Sequence, residues 1–378
     1  MTIRILLRCV TIPMMPAASV LPSRLTSLDV FRGVTMAFMI LVNNAGGSRS
    51  YWPLEHARWD GWTPTDMVFP TFVWIVGLSI TLSLAKRLER GEPKMALFGV
   101  AARRAAILFL LGVLVYAYPA FDLSTQRVLG VLQRIAICYL AAVGIYLTCR
   151  VRGQIAWTVG LLAAYWALMT FAPVPEYGAG RLDVEGNFAH YTDRILLGAH
   201  NYRSTKTWDP EGVVSTLPAI ATCLLGLLAG GIVKMKRSIG ERAVWLAVPG
   251  VAFAAAGLAG SHWEPINKKL WSDTFVLSMA GFDFVVYAGI FWVVDGLGWR
   301  HFLKPFTWLG MNAIAIYLLS EFLDEALNWA HWKQPIYDRV FAGLGSPENA
   351  SLGYALAYVA VHFLAAWLLY RRGWFIHV

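Results

Sequence analysis

His56 stands among polar and aromatic neighbours in a stretch that joins two apolar runs. Residues 43–72 read NNAGGSRSYWPLEHARWDGWTPTDMVFPTF. Trp52, Trp59 and Trp62 flank the histidine, with Glu55 and Asp60 beside it. A histidine titrates near neutral pH, so it can act as a general base or as a nucleophile that carries an acyl group. In an otherwise apolar chain, this concentration of polar groups reads as the mouth of an active site. Trp also gathers in the aromatic belts of membrane interfaces, so the pattern alone leaves an interfacial histidine open as the alternative.

Other residues could serve the same chemistry. Asn43 and Asn44 precede Gly46-Gly47, and a buried amide there could orient the imidazole or donate to an oxyanion. An asparagine at a helix C-cap is the plainer reading. Asp66 and Asp209 are candidate acid/base partners of His56, although each also fits a capping position. Thr63-Pro64-Thr65-Asp66 opens one helix with a capping box, and Asp209-Pro210-Glu211-Gly212 opens another in the same manner. Pro265-Ile266-Asn267-Lys268-Lys269 precedes a third, and free N–H groups at helix amino termini attract negative charge. Arg127 and Arg134 are seven residues apart and share a face if both are helical. A buried Arg134 could meet a phosphate, a carboxylate or an acyl-donor carbonyl, or pair with Asp29, Asp273 or Asp283. Asp29 and Arg32 are spaced to pair on one helical face, and ionisable groups inside a span are costly enough to deserve a functional hypothesis. Arg103 and Arg104 read as anchors at a membrane interface or as a grip on phosphates. Asn312, in GMNAIAIY, is an intramembrane amide that needs a partner.

The elements that must position these groups are membrane helices. The chain is 57% hydrophobic and 15% charged, too apolar for an ordinary soluble domain. About 20 apolar residues cross a hydrocarbon core. Ten such runs fall near 28–45, 64–85, 97–117, 128–148, 155–172, 213–233, 243–260, 270–296, 305–321 and 352–370. The expected fold is an all-α integral membrane protein, one transmembrane domain over 25–378, with Pro70 kinking the second span and the eighth tilted or broken. Residues 1–24 read as a disordered amino-terminal extension in preference to a cleaved signal peptide. The connections that share a side with the amino terminus carry most of the 32 Lys and Arg. That bias predicts both termini in the cytoplasm and His56 on the opposite side. The net charge of +9 reflects those loops rather than nucleic-acid binding. Cys9, Cys138, Cys149 and Cys223 form no CxxC pair, and no metal site is expected. No Walker, Rossmann, HExxH or GxSxG pattern occurs. YTDRILLGAHNY reads as a short surface helix carrying His190 and His200.

The stretches SLDVFRG, VNN…GG, YWPLEHARWDGWTPTDMVFPTFVW, RVLGVLQRIAICY, YTDRILLG, WDPEGVVSTLPAI, PINKKLW and GMNAIAIY run in order from about residue 25 to the last span. With them the chain resembles the heparan-α-glucosaminide N-acetyltransferase family, including its smaller bacterial relatives. The resemblance implies a multi-span fold that moves an acetyl group across a membrane, from cytosolic acetyl-CoA to the amino group of a glucosamine on the far side. It assigns the essential histidine to His56, within EHARWDG. It matches the family asparagine to Asn43, with Asn44 a rival because one extra residue separates asparagine from histidine. It also implies a bacterial inner-membrane location and is compatible with a homodimer.

The expected activity is acetyl-CoA-dependent acyl transfer with His56 as base or acyl carrier and Asn43 or Asn44 assisting. Arg134, Arg103, Arg104 and Arg32 would hold the donor. Trp52, Trp59, Trp62, Asp60, Asp66, Asp209 and Glu211 would face the amino-sugar or glycan acceptor. The alternative is an amino-sugar permease that uses the same vestibule without acyl transfer.

Overall fold

The computed structural model describes residues 25–376, so the extension expected over 1–24 lies outside the described residues. Among the described residues there are thirteen α-helices: α1 (Thr26–Asn43), α2 (Val68–Glu89), α3 (Lys94–Ala117), α4 (Val131–Thr148), α5 (Val151–Phe171), α6 (Phe188–Leu196), α7 (Thr216–Val233), α8 (Ile239–Gly260), α9 (Asp273–Phe291), α10 (Lys304–Met311), α11 (Ala313–Trp329), α12 (Lys333–Ile336) and α13 (Pro347–Arg371). Among the described residues there is no strand, only isolated bridges. Nine helices among the described residues are long and apolar enough to cross a membrane, and α10 with α11 makes a tenth if that bent pair is one span.

The composition of each run explains nine of these spans, because a helix is the open-ended structure that satisfies every backbone polar group in hydrocarbon. The expected run 305–321 is instead two helices that meet at 82°. Asn312 sits at the break with φ −121° and ψ 30°, and its Oδ1 accepts the amide of Ile376. The eighth span is continuous from Asp273, with a π turn, Trp292–Gly296, at its far end. Gly281 does not break it, since that glycine lies against α8, close to the Ala254 backbone. The disturbance expected at Pro70 takes the form of a 3-10 turn, Pro64–Met67, leading into α2 at Val68. Helix α4 begins only at Val131, so Arg127 precedes it and does not share a helical face with Arg134. The reason is local: Gly130 is fully extended, with φ −177° and ψ −168°.

Close helix approach replaces the hydrophobic drive that water would supply. Where α2 crosses α7, a Cβ on Gly77 would lie 1.8 Å from the Cys223 carbonyl oxygen, and one on Gly226 would lie 1.9 Å from that of Trp74. Around this contact, α2, α4, α7, α8 and α9 share a core containing Trp74, Leu78, Phe275, Phe284 and Phe291. A second core joins α1, α10, α11 and α13 through Met36, Ile40, Leu309, Ile316 and Tyr358.

At one end of the bundle the loops 44–63, 172–215 and 261–272 meet. Trp59 Nε1 donates to the Leu182 carbonyl, Asp60 accepts from Asn267, and the Gly61 amide donates to the Ile266 carbonyl. The amino ends of α2, α7 and α9 therefore share this end.

Candidate active site

Asp66 is the centre of the loop end. Its Oδ2 accepts from the Thr63 amide at 3.0 Å, the Thr63 hydroxyl at 3.1 Å and the Ala57 amide at 3.0 Å. Its Oδ1 lies 2.7 Å from His56 Nδ1. The capping box and the contact to His56 are thus made by one carboxylate. Asp66 is an acceptor in every one of these contacts, so the proton between it and the ring belongs to Nδ1. That tautomer leaves the lone pair on Nε2. Nε2 makes no hydrogen bond among the described residues, and the His56 side chain is 51% exposed against 1% for Asp66. A buried carboxylate orienting an accessible imidazole is the arrangement of a base poised for a substrate.

The loop before α9 supplies a third member. Lys268 Nζ lies 3.2 Å from His56 Nδ1 and 3.5 Å from Asp66 Oδ1. Burial pulls Lys268 below the ordinary lysine range, against the opposing pull of Asp66 and Glu211. Asn267 fixes the loop by donating to Asp60 at 3.2 Å and accepting the Leu270 amide at 3.0 Å. Its neighbour Lys269 donates to the Arg58 carbonyl and stands over the Trp59 ring. Trp271 holds φ at 57°, an uncommon value for a bulky side chain, and its Nε1 donates to Thr222. Sequence reasoning named this segment only as the approach to a helix. The available signal was two adjacent lysines just ahead of a helix amino end, where the dipole disfavours cations.

Arg134 reaches the same loop from α4. Its guanidinium lies 5.0 Å from the Trp271 ring centre, and the Trp271 amide donates to the Lys268 carbonyl. Its Nη2 donates to the Gly212 carbonyl at 3.1 Å and to Ser215 Oγ at 2.5 Å. Its Nε and Nη1 are buried without a protein partner. Among the described residues Arg134 makes no ion pair with Asp29, Asp273 or Asp283. Asp29 faces Arg32, and Asp283 accepts from Thr71.

Asp209 and Glu211 are committed to Arg127. That guanidinium donates to both carboxylates and lies 4.7 Å from the Tyr116 ring centre and 4.4 Å from that of Tyr202. Burial pushes Asp209 up despite Arg127. Burial also acts on Glu211, but Arg127, Arg134 and Lys268 together hold it below the usual carboxylate range. Behind them, Asp193 accepts the amides of Asp209 and Val213, and burial lifts it to about 6. His190 stacks on Trp208 at 4.1 Å and is buried, not a surface residue, which pushes it down to about 4.

The remaining candidates are dispersed. The three tryptophans make no ring contact with one another among the described residues. Trp52 is 68% exposed, Trp59 meets His190 and Trp208 edge-on, and Trp62 packs on Phe282. Asn44 is buried at the C-cap of α1, its amide donating to the Ile40 carbonyl and to Ser320, whereas Asn43 is exposed. Neither contacts His56 among the described residues. Arg32 binds the Gly310 carbonyl and Ser79 near the start of α1, far along the bundle from the dyad. Arg103 and Arg104 are exposed on α3, and Arg104 lies over Tyr139. Tyr139 is five residues beyond Arg134 on α4, about 7.5 Å further into the bundle. Among the described residues no group of His, Cys, Asp and Glu is placed to hold a metal ion.

Comparison with known proteins gives a consistent result. The family model described as heparan-alpha-glucosaminide N-acetyltransferase, catalytic, matches residues 24–262. Heparan-alpha-glucosaminide N-acetyltransferase of Homo sapiens is 30% identical over 409 residues, covering 94% of this chain and 60% of that protein. Its counterpart in Mus musculus is 30% identical over 366 residues, covering 82% of this chain and 55% of that protein. The chain thus spans little more than half the length of the curated relatives it matches.

Proposed function

The chain belongs to the heparan-alpha-glucosaminide N-acetyltransferase family, and from that premise we propose that it is a transmembrane acetyltransferase. It passes the acetyl group of acetyl-CoA to the amino group of a glucosamine-like sugar. The observation that carries this reading is the His56 Nδ1 to Asp66 Oδ1 contact of 2.7 Å, with Nε2 left open to a substrate.

The acceptor nitrogen attacks the thioester carbonyl carbon while His56 Nε2 takes its proton. The C–S bond then breaks, and the imidazolium returns that proton to the departing thiolate. Asp66 keeps the ring in the useful tautomer and steadies its positive charge. Asn43 donates to the oxyanion, because the Asn44 amide is already engaged by Ile40 and Ser320. An acetyl-histidine intermediate is the variant route, and Nε2 is again the atom that would carry the acetyl group. The two unpartnered guanidinium nitrogens of Arg134 serve the donor carbonyl or phosphates near the dyad. Arg104, Arg103 and Arg32 serve the rest of the donor toward the opposite end. Trp52 offers its exposed ring to the sugar face. The Lys and Arg bias supports a periplasmic dyad end in a bacterial inner membrane.

The test uses sealed, oriented liposomes with labelled acetyl-CoA on the cytoplasmic side and glucosamine on the other. Acetylated sugar made by the wild type and not by His56→Ala is the expected result. A fully active His56→Ala protein would sink the role of His56. Sugar crossing without acetylation in both proteins would favour a permease.

A further inference from the structure

The ring of His56 touches two charged groups, and they oppose each other. Asp66 lies 2.7 Å from Nδ1 and Lys268 Nζ lies 3.2 Å from the same atom. A single proton occupies Nδ1, and the shorter contact to a carboxylate claims it. Lys268 therefore meets the ring edge as a cation and shares Asp66 Oδ1 with it, at 3.5 Å. Asp66 is the one carboxylate within ion-pair distance of Lys268 among the described residues. The lysine comes from a loop 212 residues further along the chain, held by Asn267–Asp60 and by the Gly61 amide on Ile266. Its side chain is 21% exposed and that of His56 is 51% exposed, so the contact lies at the open rim of the site.

We propose that Lys268 is a positioning residue that sets the protonation state of His56. The ammonium opposes a second positive charge on the imidazole, which keeps Nε2 available as a base. It also favours rapid return of the captured proton to the leaving thiolate. Asp66 limits the effect by stabilising the imidazolium, so the two groups act on the ring in opposite senses. Other charged groups face the site from each packed element. Glu55, Arg58 and Asp60 lie on the histidine's own loop, Lys269 lies beside Lys268, and Glu211 lies on the loop before α7. Asp60 is tied to Asn267, Lys269 to the Arg58 carbonyl, and Glu211 to Arg127. None of these touches the ring among the described residues. The inference rests on the reading of His56 as the reacting base.

The test follows the ionisation of His56 apart from catalysis. Diethyl pyrocarbonate reacts with neutral imidazole, and mass spectrometry of the peptide containing His56 gives its extent of modification against pH. The full chain in lipid nanodiscs is compared with Lys268→Met, Lys268→Gln, Lys268→Arg and Asp66→Asn. Removing the cation should move the midpoint up by about one pH unit, Lys268→Arg should leave it in place, and Asp66→Asn should move it down. The acidic limb of kcat/KM for acetyl transfer should move with it in the Met and Gln variants, with the acceptor KM little changed. An unchanged midpoint in either monodisperse neutral variant would overturn the proposal. A wild type that transfers no acetyl group would overturn the proposed activity instead, and the chemical titration would still decide the role of Lys268.

Discussion

Asp66 accepts the Nδ1 proton of His56 at 2.7 Å with one oxygen while the other closes the capping box of Thr63 at the start of α2. The helix start and the orientation of the imidazole are therefore coupled. Asp66→Asn keeps an acceptor for the cap but can place an N–H against the ring, which favours the wrong tautomer. Acetyl transfer should fall by about 10²–10⁴-fold. Asp66→Ala should lose activity and also about 1 kcal/mol of stability from the cap. Parallel activity and thermal unfolding measurements in detergent separate the two effects.

The adjacent asparagines should behave differently. Asn44 is buried, and its side chain donates to Ile40 and Ser320, so Asn44→Ala should destabilise the protein by about 1–2 kcal/mol. Asn43 is exposed at the end of α1, and Asn43→Ala should lower kcat with the unfolding midpoint unchanged. The reverse pattern would move the oxyanion role to Asn44.

The crossing of α2 and α7 leaves no room for a side chain at Gly77. Its added Cβ would meet the Cys223 carbonyl, a backbone atom that cannot rotate away. Gly77→Ala should cost about 3 kcal/mol and reduce the monodisperse yield. Gly99→Ala, with nothing within 4 Å of the new carbon, should be tolerated and serves as the control.

Stability near the loop end should depend on pH with two opposing signs. Burial lowers His190 from 6.5 to about 4, so the stability it supplies is present above pH 6.5 and is lost as pH falls through 4. The full loss is on the order of 3 kcal/mol. Burial raises Asp193 from 3.8 to about 6, so its contribution is present below pH 3.8 and is lost as pH rises through 6. The wild type should show a shallow net slope between pH 4 and 6. His190→Gln should become more stable on acidification across that window, and Asp193→Asn should become less stable, as read by thermal unfolding at each pH.

Several parts of the site are legible because they are local. The capping box of Thr63 and Asp66 spans four residues, and Pro64 marks the first helical position, so the sequence places that carboxylate at a helix start. His56 is visible as a lone titratable group in an apolar chain. Their contact is ten residues long in sequence, yet no pattern shows which of Asp60, Asp66 and Asp209 would turn toward the ring. Asp60 is taken by Asn267 and Asp209 by Arg127, and both partners come from distant loops.

The sequence by itself determined nine apolar helices among the described residues and the capping residues, and it singled out His56 by residue type, because hydropathy, helix-start chemistry and residue type act over one turn or one run. The tertiary structure alone decided that Lys268 faces His56, that Arg134 leaves two nitrogens open beside Trp271, and that α10 and α11 part at Asn312. Each of these depends on which loops and helices come to lie together, and that is fixed by packing between segments up to hundreds of residues apart. A charged side chain in such a place takes whichever partner offsets its burial, and only the folded chain supplies that partner.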